Sequence, residues 1–343
     1  MTALLTPPLL DLHPAPADMA AVVREGMLRT PRQLPAWLLY DAKGSRLFDL
    51  ICQQPEYSLT RTEIGLLQAN AATIVAAAVP QGGAPTLIEF GAGSARKVSP
   101  LLHALPGAAY VALDISSDHL AEACARLQQQ HPQVPVLGVC CDYSALQQLP
   151  EHPLLQRQPR LGFYPGSSLG NFSPEEAHAL LVQMAQLLGP GARLLIGIDQ
   201  PKAVARLEAA YNDAAGVSAA FARNLLVRLN QDLGGDFDPQ AFTYEAHWQS
   251  DHSRIAMALV SGLEQEVQLA GRRWHFAAGE PLITEYSVKY TPQAFARLAA
   301  SAGWQLERSW SDGASGASPD AGDLSLHLLR QADSWQSPCA SQP

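Results

Sequence analysis

Positive charge is in short supply in this 343-residue chain, where 23 Lys and Arg stand against 32 Asp and Glu for a net charge of −9. No basic stripe with interleaved aromatics occurs, so no nucleic-acid partner is expected. Charged residues make up only 16% and hydrophobic ones 47%, which excludes general disorder. No apolar run nears the roughly twenty residues of a membrane span. The opening Met1-Thr-Ala-Leu-Leu-Thr-Pro-Pro8 lacks a basic segment and is broken by prolines, so it does not read as an export signal. The five cysteines (Cys52, Cys124, Cys140, Cys141 and Cys339) are odd in number and form no C-x-x-C pair. Buried thiols in a reducing cytoplasm fit them better than a disulfide or metal framework. The ten histidines show no H-E-x-x-H spacing, and no metal is expected.

What is present centres on Thr86-Leu-Ile-Glu-Phe-Gly-Ala-Gly-Ser-Ala-Arg-Lys97. A short apolar run reads as a buried parallel strand that breaks into Gly91-Ala-Gly93, where the backbone can turn tightly and approach a ligand. About twenty residues on, the strand Tyr110-Val-Ala-Leu113 ends in Asp114, where doubly wound folds keep an acid for ribose hydroxyls. Two details oppose a dinucleotide. Arg96 stands where G-x-G-x-x-G needs its third glycine, and Glu89 precedes the first glycine. An acid there repels a pyrophosphate and suits a cation, such as the sulfonium and amino group of S-adenosylmethionine. A third strand, Val136–Cys140, leads to Asp142 and Tyr143, a pair suited to the adenine amino group and ring face. Acids at Glu89, Asp114 and Asp142, with Gly91 and Gly93, therefore predict S-adenosylmethionine as cofactor.

The surrounding pattern predicts an α/β fold with a doubly wound sheet. Strand and helix alternate from about 62 to Asp199, with further strands at 161–164 and 193–198 and a capped helix start at Ser173-Pro-Glu-Glu176. The alternation stops after Asp199. Two helices and two hairpins (241–248 with 254–260, and 265–269 with 274–276) follow. A helix from Thr291-Pro292 then leads to two consecutive strands, 304–310 and 324–329, which must pair antiparallel. That ending closes a seven-stranded class I methyltransferase sheet with a reversed last strand. The expected borders are a loose arm over 1–18, an α+β substrate domain over 19–61 and 200–290, a cofactor domain over 62–199 and 291–331, and a flexible tail over 332–343. Within the first lobe, Lys43-Gly44 reads as a turn and Ser45 as a helix start.

Over nearly its whole length the chain resembles the L-histidine Nα-methyltransferases of ergothioneine biosynthesis, which convert histidine to its Nα-trimethyl form, hercynine. The resemblance rests on Trp37-Leu-Leu-Tyr-Asp41, Gln54-Pro-Glu-Tyr-Ser-Leu-Thr-Arg-Thr-Glu63 and Glu89-Phe-Gly-Ala-Gly-Ser-Ala-Arg-Lys97. It continues through Phe163-Tyr-Pro-Gly-Ser-Ser-Leu-Gly-Asn-Phe172, Ala210-Tyr-Asn-Asp213, Ala219-Ala-Phe221 and Thr284-Glu-Tyr-Ser-Val-Lys-Tyr290. It implies that Gly91, Lys97, Asp114, Asp142 and Tyr143 hold S-adenosylmethionine. It implies that Tyr57, Gly166, Asn171 and Tyr211 surround the amino and carboxylate ends of the amino acid. Glu285 and Ser287 would take the imidazole, with Tyr40 and Met257 nearby. Tyr57 is then the candidate for orienting and deprotonating the amine, and the substrate lobe would close over the cofactor lobe. Tyr286 departs from the family, which has an aliphatic residue there.

Three rivals follow from the same residues. Gly166-Ser-Ser-Leu-Gly170 matches the nucleophile elbow of α/β-hydrolases, with Ser168 as nucleophile, although a fresh helix cap at Ser173 interrupts the helix that motif needs. A non-catalytic S-adenosylmethionine-binding protein is the second, and a methyltransferase of another aromatic amino acid or a histidine derivative the third. The expectation carried forward is a cytoplasmic monomer whose partner is a small molecule.

Overall fold

The computed structural model describes residues 7–12, 16–313 and 322–332. Along the chain run β1 (Leu9–Asp11), α1 (Pro16–Leu28), β2 (Arg32–Gln33), α2 (Ala42–Ile51), α3 (Leu59–Ala78), β3 (Thr86–Phe90), α4 (Ser99–Ala104), β4 (Ala109–Asp114) and α5 (Ser117–Gln130). Next come β5 (Val136–Cys140), α6 (Pro153–Gln156), β6 (Arg160–Tyr164), α7 (Pro174–Leu188), β7 (Arg193–Asp199), α8 (Val204–Tyr211) and α9 (Val217–Leu233). The strands β8 (Phe242–Gln249), β9 (Arg254–Ser261), β10 (Gln265–Leu269), β11 (Arg272–Phe276) and β12 (Pro281–Val288) follow, then α10 (Pro292–Ser301), β13 (Trp304–Ser311) and β14 (Leu324–Gln331). Two compact units divide the chain: Met1–Leu12, Leu59–Pro201 and Lys289–Pro343 form the first, His13–Ser58 and Lys202–Val288 the second.

The first unit is built on one sheet of order β1-β5-β4-β3-β6-β7-β14-β13. β3 to β7 are parallel, and β14 runs antiparallel to both β7 and β13. β3, β4 and β5 are buried along their whole length, as apolar strands covered on two faces must be. The seven expected strands are therefore present with the last reversed. An eighth, β1, lies parallel to β5 at the edge, pairing Leu9 with Gly138. Its place there corrects the expectation of a loose arm throughout 1–18, of which residues 1–6 and 13–15 lie outside the described residues, as does the tail beyond 332. The Ser173 cap forms with both halves of its reciprocal bond to Glu176.

The second unit holds a four-stranded sheet of order β2-β12-β9-β8 and the hairpin β10-β11. Both predicted hairpins form, and β12 enters between β2 and β9. Its register to β9 slips between Ile283 and Glu285, so Thr284 is an extra residue. Helix α2 starts at Ala42, not Ser45, because the Asp41 carboxylate caps it by accepting the Gly44 N–H at 2.6 Å. Gly44 is helical and not a turn residue. It is glycine because a Cβ there would overlap the Leu39 carbonyl oxygen. The same Asp41 oxygen accepts the Asn224 amide at 2.8 Å, which ties α2 to α9.

Candidate active site

In the first unit, the period of two along parallel strands brings Leu87 and Glu89 of β3 onto the same face as Tyr110, Ala112 and Asp114 of β4. Glu89 is 1% exposed, and Tyr110 donates its hydroxyl to Glu89 Oε2 at 2.6 Å. Burial pushes the Glu89 carboxyl up from 4.5 to about 8, although the Tyr110 hydrogen bond and the Lys97 ammonium pull it down. Beyond the strand, Gly91 and Gly93 both take positive φ, +70° and +52°. A Cβ on Gly91 would stand 3.3 Å from Tyr143 Oη, so the glycine keeps that side of the loop open. The Gly93 N–H donates to Asp114 Oδ2 at 2.7 Å and the Ser116 N–H to Oδ1 at 3.1 Å. Burial nonetheless raises the Asp114 carboxyl.

Farther along the sheet, Asp142 Oδ1 accepts the N–H and the hydroxyl of Ser144. The Tyr143 ring stands edge-on to Phe90 and Tyr164, and its hydroxyl lies 3.4 Å from that of Tyr164. These groups suit S-adenosylmethionine. Glu89 is a buried acid that a positive ligand would ionise, Asp114 is an oriented acceptor for a diol, and the glycine turn admits a ligand close to the backbone.

Lys97 forms an ion pair, Nζ to Glu63 Oε2 at 2.8 Å. The Gly166 N–H is committed to the same carboxylate, 2.9 Å from each oxygen, in the loop that leads to Asn171. Asn171 closes the short helical turn 168–171 that follows. The hydrolase elbow is absent. Ser168 donates its hydroxyl to the Pro165 carbonyl at 3.0 Å, and the left-handed residue is Ser167, whose Oγ accepts the Asp199 N–H.

The second unit gathers the remaining predicted residues. Glu285 and Ser287 alternate on β12, with Met257 as the register partner of Glu285 on β9; all three are buried. The hydroxyls of Tyr211 and Ser287 lie 2.8 Å apart. Tyr57 presents an edge to Tyr211, ring centres 5.9 Å apart, and contacts Phe48 at 6.3 Å. Tyr40 packs on Phe48 and Phe221 at 5.6 and 5.4 Å. Tyr244, which sequence reasoning did not single out, holds Tyr211 in place by donating its hydroxyl to the Tyr211 carbonyl at 2.8 Å. Glu63 was missed as well. Its signal was an acid within the buried apolar stripe of α3, beside Leu59, Leu66 and Leu67.

A model of the S-adenosylmethionine-dependent, histidine-specific methyltransferases matches residues 19–319. The chain belongs to this family. It is 39% identical over 312 residues to a histidine N-alpha-methyltransferase of Mycolicibacterium smegmatis, covering 89% of this chain and 92% of that one. The corresponding protein of Mycobacterium tuberculosis is 36% identical with the same coverage. Ergothioneine biosynthesis protein 1 of Neurospora crassa is 29% identical over 88% of this chain and 33% of its own length. As a histidine-specific methyltransferase, the chain is an enzyme whose methyl donor is S-adenosylmethionine. No helix among the described residues is long and apolar enough to cross a membrane.

Proposed function

We propose that the enzyme methylates the α-amino group of L-histidine three times, giving hercynine, the first step of ergothioneine biosynthesis. The observation that carries this reading is the buried set on β12 and β9: a carboxylate at Glu285, Met257 opposite it, and a hydroxyl at Ser287 joined to that of Tyr211. A carboxylate accepts an imidazole N–H, a hydroxyl can donate or accept, and a thioether packs against an aromatic ring.

S-adenosylmethionine supplies, when bound, a methyl group on a positively charged sulfur that an amine displaces in line. In this reading Glu89, Gly91, Gly93, Lys97, Asp114, Asp142 and Tyr143 hold it, with Asp114 at the ribose and Asp142 and Tyr143 at the adenine. Glu285 and Ser287 orient the imidazole, with Tyr40 and Met257 beside it. Tyr57, Gly166, Asn171 and Tyr211 surround the amino and carboxylate ends. Tyr57 orients the amine, and it or a water beside it takes up the proton that must leave before each of the three transfers. The nitrogen left by the second transfer is a protonated dimethylamine, so the third transfer needs that proton loss as well as room for the last methyl group. The reading also carries a monomer in the cytoplasm with no macromolecular partner, which light scattering of the purified protein checks.

The direct experiment is mass spectrometry of the purified enzyme incubated with S-adenosylmethionine and a panel of amino acids. Mono-, di- and trimethylated histidine is the expected result. Turnover of another aromatic amino acid in place of histidine would overturn the substrate assignment.

A further inference from the structure

Glu63 lies in α3 with no exposed surface, and its carboxylate is approached from three directions. Lys97 Nζ is 2.8 Å from Oε2, and the Gly166 N–H is 2.9 Å from both oxygens. On a third side is Gly197 of β7, where a Cβ would overlap Glu63 Oε1. A carboxylate withdrawn from water persists only when it is paired and hydrogen-bonded, and here both conditions are met by the two loops that follow β3 and β6. Gly166 is itself confined: its φ is +84°, and a Cβ would stand 2.8 Å from Lys97 Nζ.

The charges raise a physical problem that Glu63 solves. Lysine is a compact point charge on a flexible stem, and an ammonium beside a sulfonium is repulsive. We propose that Glu63 is a positioning residue that fixes the Lys97 ammonium and the Gly166 amide with one carboxylate and, by neutralising Lys97, lets a lysine serve at the site of a cationic donor. This rests on the reading above that Lys97 lies at the donor.

The test compares binding of S-adenosylmethionine, whose sulfur is positive, with S-adenosylhomocysteine, whose sulfur is neutral, by calorimetry on the full-length protein. Glu63→Gln removes the negative charge 2.8 Å from the Lys97 ammonium, so affinity for S-adenosylmethionine falls about tenfold more than affinity for S-adenosylhomocysteine. Adding Lys97→Met to Glu63→Gln restores the ratio of the two affinities to within a few fold of wild type. Gly197→Ala, which keeps the glutamate but displaces its carboxylate, shifts the ratio in the same direction and decides the matter where the glutamine variant does not fold. Equal losses for both ligands in these variants, or no loss in either, overturn the role given to Glu63. Unchanged affinity for both ligands in Lys97→Met alone overturns the placement of Lys97 at the donor, which is a separate failure.

Discussion

Tyr110 donates its hydroxyl hydrogen to Glu89 at 2.6 Å, joining β4 to β3 through two side chains that are both removed from solvent. The carboxyl so enclosed titrates near 8 instead of 4.5, with burial as the main cause. A bound cation favours its ionised form. Affinity for S-adenosylmethionine should therefore rise as pH is raised toward 8 and level off above it. In Glu89→Gln this rise should vanish, as read by calorimetry across the pH range. A pH-independent affinity in the wild type would remove Glu89 from the donor site.

The same shift has a consequence for the unliganded fold. Between 4.5 and about 8 the folded protein holds a proton at Glu89 that the unfolded chain releases, so this group favours folding most at low pH and the contribution is lost as pH climbs through about 8. The full swing is on the order of 5 kcal/mol. Denaturant titrations should show wild-type stability declining across this window relative to Glu89→Gln.

Replacing Glu285 by alanine removes the proposed imidazole acceptor and leaves the donor residues untouched. The histidine KM should rise about 10- to 100-fold, the worth of a charge-assisted hydrogen bond, while calorimetric affinity for S-adenosylhomocysteine stays within twofold. An unchanged KM would take Glu285 out of the imidazole site.

Two glycines in helices should respond oppositely to alanine. Gly44→Ala meets the Leu39 carbonyl and should cost about 1–3 kcal/mol of stability. Gly65→Ala in α3 meets nothing within 4 Å and should add about 0.5–1 kcal/mol. Thermal melts of the two variants check both signs.

Three thiols should be chemically silent. Cys124, Cys140 and Cys141 are buried, and burial raises each to about 12. At neutral pH a thiol reagent should modify the half-buried Cys52 and reach these three only in denaturant, as peptide mapping will show.

Much of this architecture was legible in the residues because its signals are local. The glycine pair after β3, the acids at 89, 114 and 142, the cap at Ser173 and the alternating hairpins each announce themselves within a few positions. The features that escaped depend on distant partners. Lys43-Gly44 looks like a turn until the Leu39 carbonyl and the Asp41 cap are in place. Nothing near Glu63 or Tyr244 says that one will meet Lys97 and Gly166 and the other the Tyr211 carbonyl. A strand of three residues flanked by prolines, as β1 is, is too short to show a period.

That short strand has a protective effect. By lying along β5, with Leu9 over the side of Gly138 where a Cβ would come within 2.7 Å of it, β1 occupies backbone groups of Val136–Cys140 that would otherwise be unpaired. A bare, uncharged Val-Leu-Gly-Val-Cys border is a template for intermolecular pairing. Shortening the protein from its amino end past Asp11 would thus be felt first as sticking and precipitation of the purified material, ahead of any fall in turnover.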